Sequence, residues 1–350
     1  MSAVFVSGIG AVSPGGWGVA ALRDTVRKGK PLPVKTVTRP GWPHPLRQLS
    51  VPPLSSRPAF MAHPRLRRSS PIAQYAVGAA LEALGLDKER VNSGSLRLGV
   101  IFCAMAGCVT YSRRFYDEIL KDPATASPMI FPETVFNAPA SHLAALLGST
   151  GINYTLVGDP GTFLQGLALG AHWLHRNTVD GCLVVAAEEL DWLVAEAFHL
   201  FDRGTVVSDG AGAVYLTCVP NGQAEVELKS VTDPCLFANG KTRLVAAQRV
   251  RNALTHPNGS KSLLCDGVQG SPRQDRDEIA AWADWPGDRL SPKKSCGEAL
   301  TAAAAWQCVS ACDAIARGEY STATISVLGP NQQAIAAQFI RSNPVEPRCL

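Results

Sequence analysis

The sequence predicts an α/β protein of layered sheets, with helices between and outside them, built as two similar strand–helix halves. Three observations carry that expectation. Leu98 to Ala104, Cys182 to Ala187 and Ala211 to Val219 are short, continuously apolar runs, the pattern of strands covered on both faces. Helical segments rich in small residues separate them. The same rhythm then returns more loosely, so the chain divides into halves 1–220 and 221–350.

In chain order, Val4 to Val12 reads as a buried strand meeting the turn cluster Ser13-Pro14-Gly15-Gly16, and Val19 to Val26 as a short helix. Pro31 to Pro64 is crowded with prolines, each of which removes an N–H donor and fixes φ. An ordered but irregular arm or a flexible loop is expected there, closing with Arg65, Arg67 and Arg68. Ser69-Ser70-Pro71 opens a helix, with serine as cap and proline in the first turn, and Gly85 ends it. Ala138 to Leu147 is a short helix, Tyr154 to Val157 a strand and Thr162 to His175 a helix. The second half offers strand Val226 to Val231, helix Leu244 to Leu254, strand Ser262 to Cys265 and helix Asp275 to Trp282. A long alanine-rich helix, Ala299 to Arg317, and Thr322 to Leu328 as last strand complete it.

Composition narrows the function. The 350 residues are 46% hydrophobic and 18% charged, ordinary for a globular chain, and the net charge is +4. No basic run interleaves with aromatics, which argues against nucleic acid. No apolar stretch has the length of a membrane helix, and Met1-Ser2-Ala3-Val4-Phe5-Val6 lacks the layout of a signal peptide, so a cytoplasmic protein is expected. Ten cysteines, at 103, 108, 182, 218, 235, 265, 296, 308, 312 and 349, contain no CxxC pair, and most sit in apolar segments. Reduced, buried thiols are expected rather than disulfides or zinc. No glycine-rich nucleotide motif follows a strand, so no cofactor is expected.

Five segments, in consistent order from about residue 3 to about residue 340, resemble the β-ketoacyl synthases of fatty acid and polyketide assembly. Val4 to Pro14 resembles their opening strand and loop, and Asn137-Ala138-Pro139-Ala140-Ser141-His142-Leu143 the helix before their active-site strand. Gly151-Ile152-Asn153-Tyr154-Thr155 resembles the strand leading into the nucleophile, and Asp209-Gly210-Ala211-Gly212-Ala213-Val214 the glycine-rich strand ending the first half. Lys294-Ser295-Cys296-Gly297-Glu298 resembles their lysine–histidine motif. The resemblance implies a thiolase-like fold in the order α-β-α-β-α and a dimer. It also implies a cysteine at the start of a buried helix, which takes an acyl chain from a carrier protein, and two histidines that support condensation.

Those catalytic positions are altered. The nucleophile position falls on Pro160, which offers neither a thiol nor an N–H. Asp159 before it is expected to cap the helix, with Pro160 as its first residue. Asp266 stands at the first histidine position, in Cys265-Asp266-Gly267-Val268-Gln269-Gly270. Glu298 stands at the second, with Lys294 retained at a spacing one residue short and expected to pair with Glu298 or Asp266. Val327-Leu328-Gly329-Pro330-Asn331 replaces the glycine-rich phenylalanine gate, and the linker from Glu188 to Asp209 is short.

The resemblance therefore implies a non-catalytic, chain-length-factor-like subunit. Its partner would be an active ketosynthase, in a heterodimer, with acyl carrier protein reached through that partner. The shortness and erosion of the chain resemble the aryl polyene kind. Met129, Ile130, Phe131 and His142 match the region that crosses the dimer interface and touches the partner's acyl tunnel. Two other functions compete: an active superfamily enzyme using Asp159, Cys103 or Cys265, and a homodimeric scaffold for acyl carrier proteins. Cys103 and Cys108 are weak candidates as nucleophiles because neither is expected to precede a helix. His172 and His175 are poor metal ligands, and Arg65, Arg67 and Arg68 form a basic edge that could receive an acidic carrier.

Overall fold

A computed structural model describes residues 2–39, 41–42, 44–56, 58–220, 225–254 and 261–342. Cys349 and the start of the second half at residue 221 lie outside them. The first half runs β1 (Phe5–Ser13), β2 (Gly16–Trp17), α1 (Val19–Lys28), β3 (Lys35–Val37), β4 (Leu46–Leu49), α2 (Pro71–Leu84), α3 (Asp87–Asn92), β5 (Leu98–Ala104) and α4 (Val109–Lys121). It continues through α5 (Ala138–Leu147), β6 (Asn153–Val157), α6 (Thr162–His175), β7 (Gly181–Glu188), α7 (Trp192–Phe201), β8 (Val207–Ser208) and β9 (Gly210–Thr217). The second half comprises β10 (Glu225–Val231), β11 (Cys235–Leu236), α8 (Gly240–Asn252), β12 (Ser262–Cys265), α9 (Pro272–Ala281), β13 (Asp288–Leu290), α10 (Pro292–Cys296), α11 (Leu300–Ala316), β14 (Thr322–Leu328) and β15 (Gln333–Ser342).

The strands line up as β13-β12-β14-β15-β10-β1-β9-β7-β5-β6. Read outward from the β10–β1 junction, each half repeats one order: its first, fifth, fourth, second and third main strand. The junction is a short antiparallel seam, with Phe5 opposite Glu227 and Val6 opposite Val226. In each half the inner pairs are antiparallel and the two outer pairs parallel.

The two halves fold back on a shared middle layer of α6 and α11. Every residue of α11 from Leu300 to Ile315 is buried, as expected of a helix covered on all sides. Two neighbouring side chains fasten it. Trp306 Nε1 donates to Val12 O (3.1 Å) and Ala211 O (2.9 Å) in the first sheet. Gln307 Nε2 donates to Cys265 O (3.1 Å) and Ser326 O (2.8 Å) in the second. Helix α2 covers the outer face of the first sheet, and α8 and α9 lie outside the second. The expected α-β-α-β-α layering is therefore present. Close approach of α2 explains the glycines of β1: a Cβ on Gly10 would sit 1.9 Å from Ala79 O, and one on Gly8 1.9 Å from Ala83 O.

Several elements depart from the sequence expectations. The proline-rich arm carries β3 and β4, and β4 pairs in parallel with β8, which ties the arm to the Glu188–Asp209 linker. That linker also holds α7. The last strand is β15 rather than β14; it returns beside β14 as a hairpin and pairs on its other side with the distant β10. Ser70 does not cap α2: its hydroxyl donates to Glu189, whose carboxylate accepts the Ile72 N–H at 3.2 Å.

Candidate functional site

The two middle-layer helices start close to one another, and the altered positions gather there. Strand β6 leads through Gly158 into Asp159 and Pro160, and the Thr162 N–H donates to Asp159 O at 2.8 Å as α6 begins. The expected capping by Asp159 is corrected: its carboxylate does not cap α6 but turns toward the β14–β15 turn. There Oδ2 accepts the N–H groups of Gln332 (3.3 Å) and Gln333 (3.2 Å), and Oδ1 is buried without a partner among the described residues. Pro160 lies in the turn before the helix instead of being its first residue. Burial raises the Asp159 carboxyl above the usual range, opposed by those N–H groups and by the Lys293 charge.

Lys293, not Lys294, is the lysine of the site. Lys293 is 5% exposed and its Nζ donates to Glu298 Oε2 at 2.6 Å; Lys294 points to solvent. Lys293 is five residues before Glu298, which removes the one-residue shortfall counted from Lys294. Glu298 in turn accepts the Leu300 N–H at 2.8 Å through Oε1. Leu300 has φ of 52°, costly for a branched-chain residue, so Glu298 holds a strained entry into α11.

Asp266 follows β12, with Oδ1 accepting from the Ser291 hydroxyl and from the Val268 N–H (3.3 Å), and Arg289 at 3.9 Å from Oδ2. Beside it is a carboxylate that the sequence did not bring forward, Glu278 of α9. Glu278 is 3% exposed and accepts from Gly267 N (3.1 Å) and Ser326 Oγ (2.6 Å). Burial and then the Asp266 charge push Glu278 up to about 7, and burial raises Asp266 as well. Two carboxylates sharing a dry space cannot both ionise cheaply.

Arg243 of α8, also unsuspected, closes the outside. Only 9% exposed, it donates to Gln274 O (2.8 Å), Gly329 O (3.4 Å) and Leu328 O (3.5 Å), and pairs with Asp277 (3.5 Å). Gly329 is thus held between the Asp159 carboxylate and the Arg243 guanidinium; a Cβ there would lie 1.7 Å from Asp159 Oδ2. The space left among Gly267, Glu278, Lys293, Glu298 and Leu328 is about 20 Å³, room for about one water and not for an acyl chain.

At the first-half edge of the same site, Glu188 ends β7 and Glu189 follows it. Glu188 accepts the N–H groups of Met105 (2.6 Å), Ala106 (3.0 Å) and Gly107 (3.3 Å) and the Thr301 hydroxyl (2.6 Å), and burial pushes it up to about 7. Asp209, holding Val51 N and Tyr75 Oη, is pushed up to about 6 by burial. These acids release protons near 4.5 or 3.8 when unperturbed, so the folded chain binds more protons between roughly pH 4 and 7. Stability is expected to fall as pH rises through that window. Urea unfolding at pH 5 and pH 8 should show the drop, and Glu188→Gln should shrink it; an unchanged difference would assign the pH dependence elsewhere.

The remaining candidates are dispersed. Cys103 and Cys265 are fully buried, and burial raises both thiols far above the ordinary range. Cys108 does precede a helix, α4, contrary to the sequence expectation; burial and the nearby Glu189, Glu133 and Glu188 nonetheless hold its thiol protonated. His172 and His175 lie in the last turn of α6, roughly 20 Å along the helix from Pro160. No group of three or more metal-ligating side chains occurs among the described residues. Arg65, Arg67 and Arg68 are exposed around a buried Leu66. Met129 and Phe131 are exposed, whereas Ile130 is buried in its own chain and cannot line a partner's tunnel. His142 Nε2 meets the Glu133 carboxylate at 2.8 Å, pinning the segment that displays Phe131.

No family model matches the chain, and no curated protein matches it in sequence. Solved structures do match in three dimensions. The ishigamide ketosynthase/chain length factor superposes with TM-score 0.75 at 18% identity, covering 97% of this chain and 100% of that one. A β-ketoacyl synthase from Burkholderia phymatum STM815 gives 0.77 at 16%, covering 98% and 100%. The chain has the ketosynthase fold. A type II polyketide ketosynthase complex containing its acyl-carrier protein and bound to a hexaketide gives 0.76 at 14% identity, covering 97% of this chain and 99% of that one. Within this ketosynthase fold, the described residues include no helix long and apolar enough to cross a membrane.

Proposed function

We propose that this chain is a non-catalytic, chain-length-factor-like subunit that pairs with an active β-ketoacyl synthase and shapes the acyl tunnel at their shared face. The observation that carries this reading is the state of the site where α6 and α11 begin. Pro160 offers no nucleophile, Asp266 and Glu298 stand where the sequence resemblance expects histidines, Glu298 is paired with Lys293, and Asp159 and Arg243 lock the β14–β15 turn over about 20 Å³ of space. The absence of a thiol at position 160 and the small space beside the Lys293–Glu298 pair support this reading.

A partner has a place to bind. β6 is a sheet edge, paired on one side by β5 alone, and it displays Tyr154 and Val157, each 54% exposed. Such an edge invites pairing with another strand. Met129 and Phe131 stand exposed on the segment pinned by His142, where their bulk would limit chain growth in the partner. Acyl carrier protein would be met through that partner, in the cytoplasm. The changed residues at positions 160, 266 and 298 are the feature that likens the chain to the aryl polyene kind of partner subunit.

Restoring the thiol alone should not restore chemistry. After incubation of Pro160→Cys with acyl carrier protein and a malonyl extender, no condensation product is expected, because Asp266 and Glu298 cannot replace imidazole donors. Intact-mass spectrometry of the natural chain after the same incubation should show no acyl adduct. An adduct on the natural chain, or condensation by the single variant, would overturn the non-catalytic reading.

A further inference from the structure

Away from this site, a cleft opens between α1, the C-terminal half of α11 and the β12–β13 edge. Its volume is about 140 Å³, close to the roughly 150 Å³ of an engineered cavity that accepts benzene. Leu22, Val26 and Val309 give it an apolar wall.

Charge is concentrated at its rim. Four arginines line the cleft, Arg23, Arg27, Arg289 and Arg317, against two carboxylates, Asp313 and Glu319. Arg23 forks onto Asp313 through Nε (2.8 Å) and Nη2 (2.6 Å), a planar two-point fit to a carboxylate. Arg317 reaches both Asp313 (3.2 Å) and Glu319 (2.8 Å), and Arg27 also pairs with Glu319. Three arginines thus share two carboxylates. Arg289 stands on the inner wall, 3.9 Å from Asp266, and Asp24 acts on Arg23 from the solvent side. Asp313 is buried, but Glu319 is 37% exposed, so it is the carboxylate an incoming ligand could displace. Ser310 also lines the cleft, and its hydroxyl is buried with no hydrogen-bond partner among the described residues.

We propose that this cleft binds a compact monocarboxylate with an apolar body, such as a small aromatic acid. The carboxylate takes the place of Glu319 between Arg27 and Arg317, the ring lies on the Leu22–Val26–Val309 wall, and Ser310 supplies a further polar contact. The excess of arginine selects the anion, and the apolar wall selects its body.

Calorimetric titration of the full chain with benzoate tests this, with benzyl alcohol and inorganic phosphate as comparisons. One saturable benzoate site is expected, with both comparison compounds weaker by about ten-fold or more, the loss of one charge-assisted contact or of the apolar body. The double variant Arg27→Gln/Arg317→Gln should weaken benzoate by about ten-fold or more. Ala314→Leu, which fills the cleft without touching its charges, should block binding while circular dichroism stays unchanged. Absence of saturable benzoate binding, equal binding of either comparison compound, or benzoate binding unaffected by both variants would overturn the proposal. If the arginine variant fails to fold, the Ala314→Leu result decides.

Discussion

Lys293→Met is expected to destabilise the chain by about 3–5 kcal/mol, because it removes one partner of a buried ion pair and leaves the other. Both side chains are 5% exposed, so water cannot compensate the orphaned Glu298 carboxylate. The loss would spread: Glu298 also receives the N–H of Leu300, whose positive φ depends on being held. Lys294→Met, one residue along and solvent-facing, should change stability by no more than about 0.5 kcal/mol. Pairing Lys293→Met with Glu298→Gln should recover much of the loss, since no bare charge is then left inside. Denaturant unfolding of the three variants checks this, and equal effects of Lys293→Met and Lys294→Met would refute the assignment of the buried lysine.

Tyr154→Asp combined with Val157→Asp should abolish pairing with the proposed partner synthase while leaving the fold intact. Both side chains are more than half exposed on the free edge of β6. Tyr154 rests edge-on against Trp173 of α6 with ring centroids 5.3 Å apart, so its replacement costs one aromatic contact, about 0.5–1.5 kcal/mol, which the fold is expected to tolerate. Aromatic anchors at the centre of an interface carry about 2 kcal/mol or more each, about 30-fold in affinity. Two carboxylates would add desolvation to that loss. Co-purification of the co-expressed pair, followed by sedimentation analysis, gives the readout. A heterodimer that survives both substitutions would place the interface elsewhere, and with it the proposed tunnel.

Much of the fold was legible because its signals are local. The bounds of β5, α5, α6, β12 and β14 follow from continuous apolar runs punctuated by proline, glycine and serine. Elements built on nonlocal pairing were not legible. β4 and β8 meet from opposite ends of the first half, and β15 pairs along one side with β10, about a hundred residues earlier. At the site, the identities at 160, 266 and 298 were readable residue by residue. The directions of their side chains were not. Asp159 stands where a helix cap is expected, yet its carboxylate turns away, because backbone N–H groups from the β14–β15 turn reach it there. Arg243 and Glu278 gave no signal: a charged residue on a helix reads as solvated until packing shows it enclosed.

The layered α/β plan, the residue types at positions 160, 266 and 298 and the burial of most cysteines were readable from residue type and short-range pattern. Tertiary structure alone decided which lysine meets Glu298. Lys293 and Lys294 are adjacent on α10, about a quarter-turn apart, and identical in chemistry. One faces a carboxylate across a dry interior and the other faces water, a difference that arises only when α10 docks beneath the start of α11.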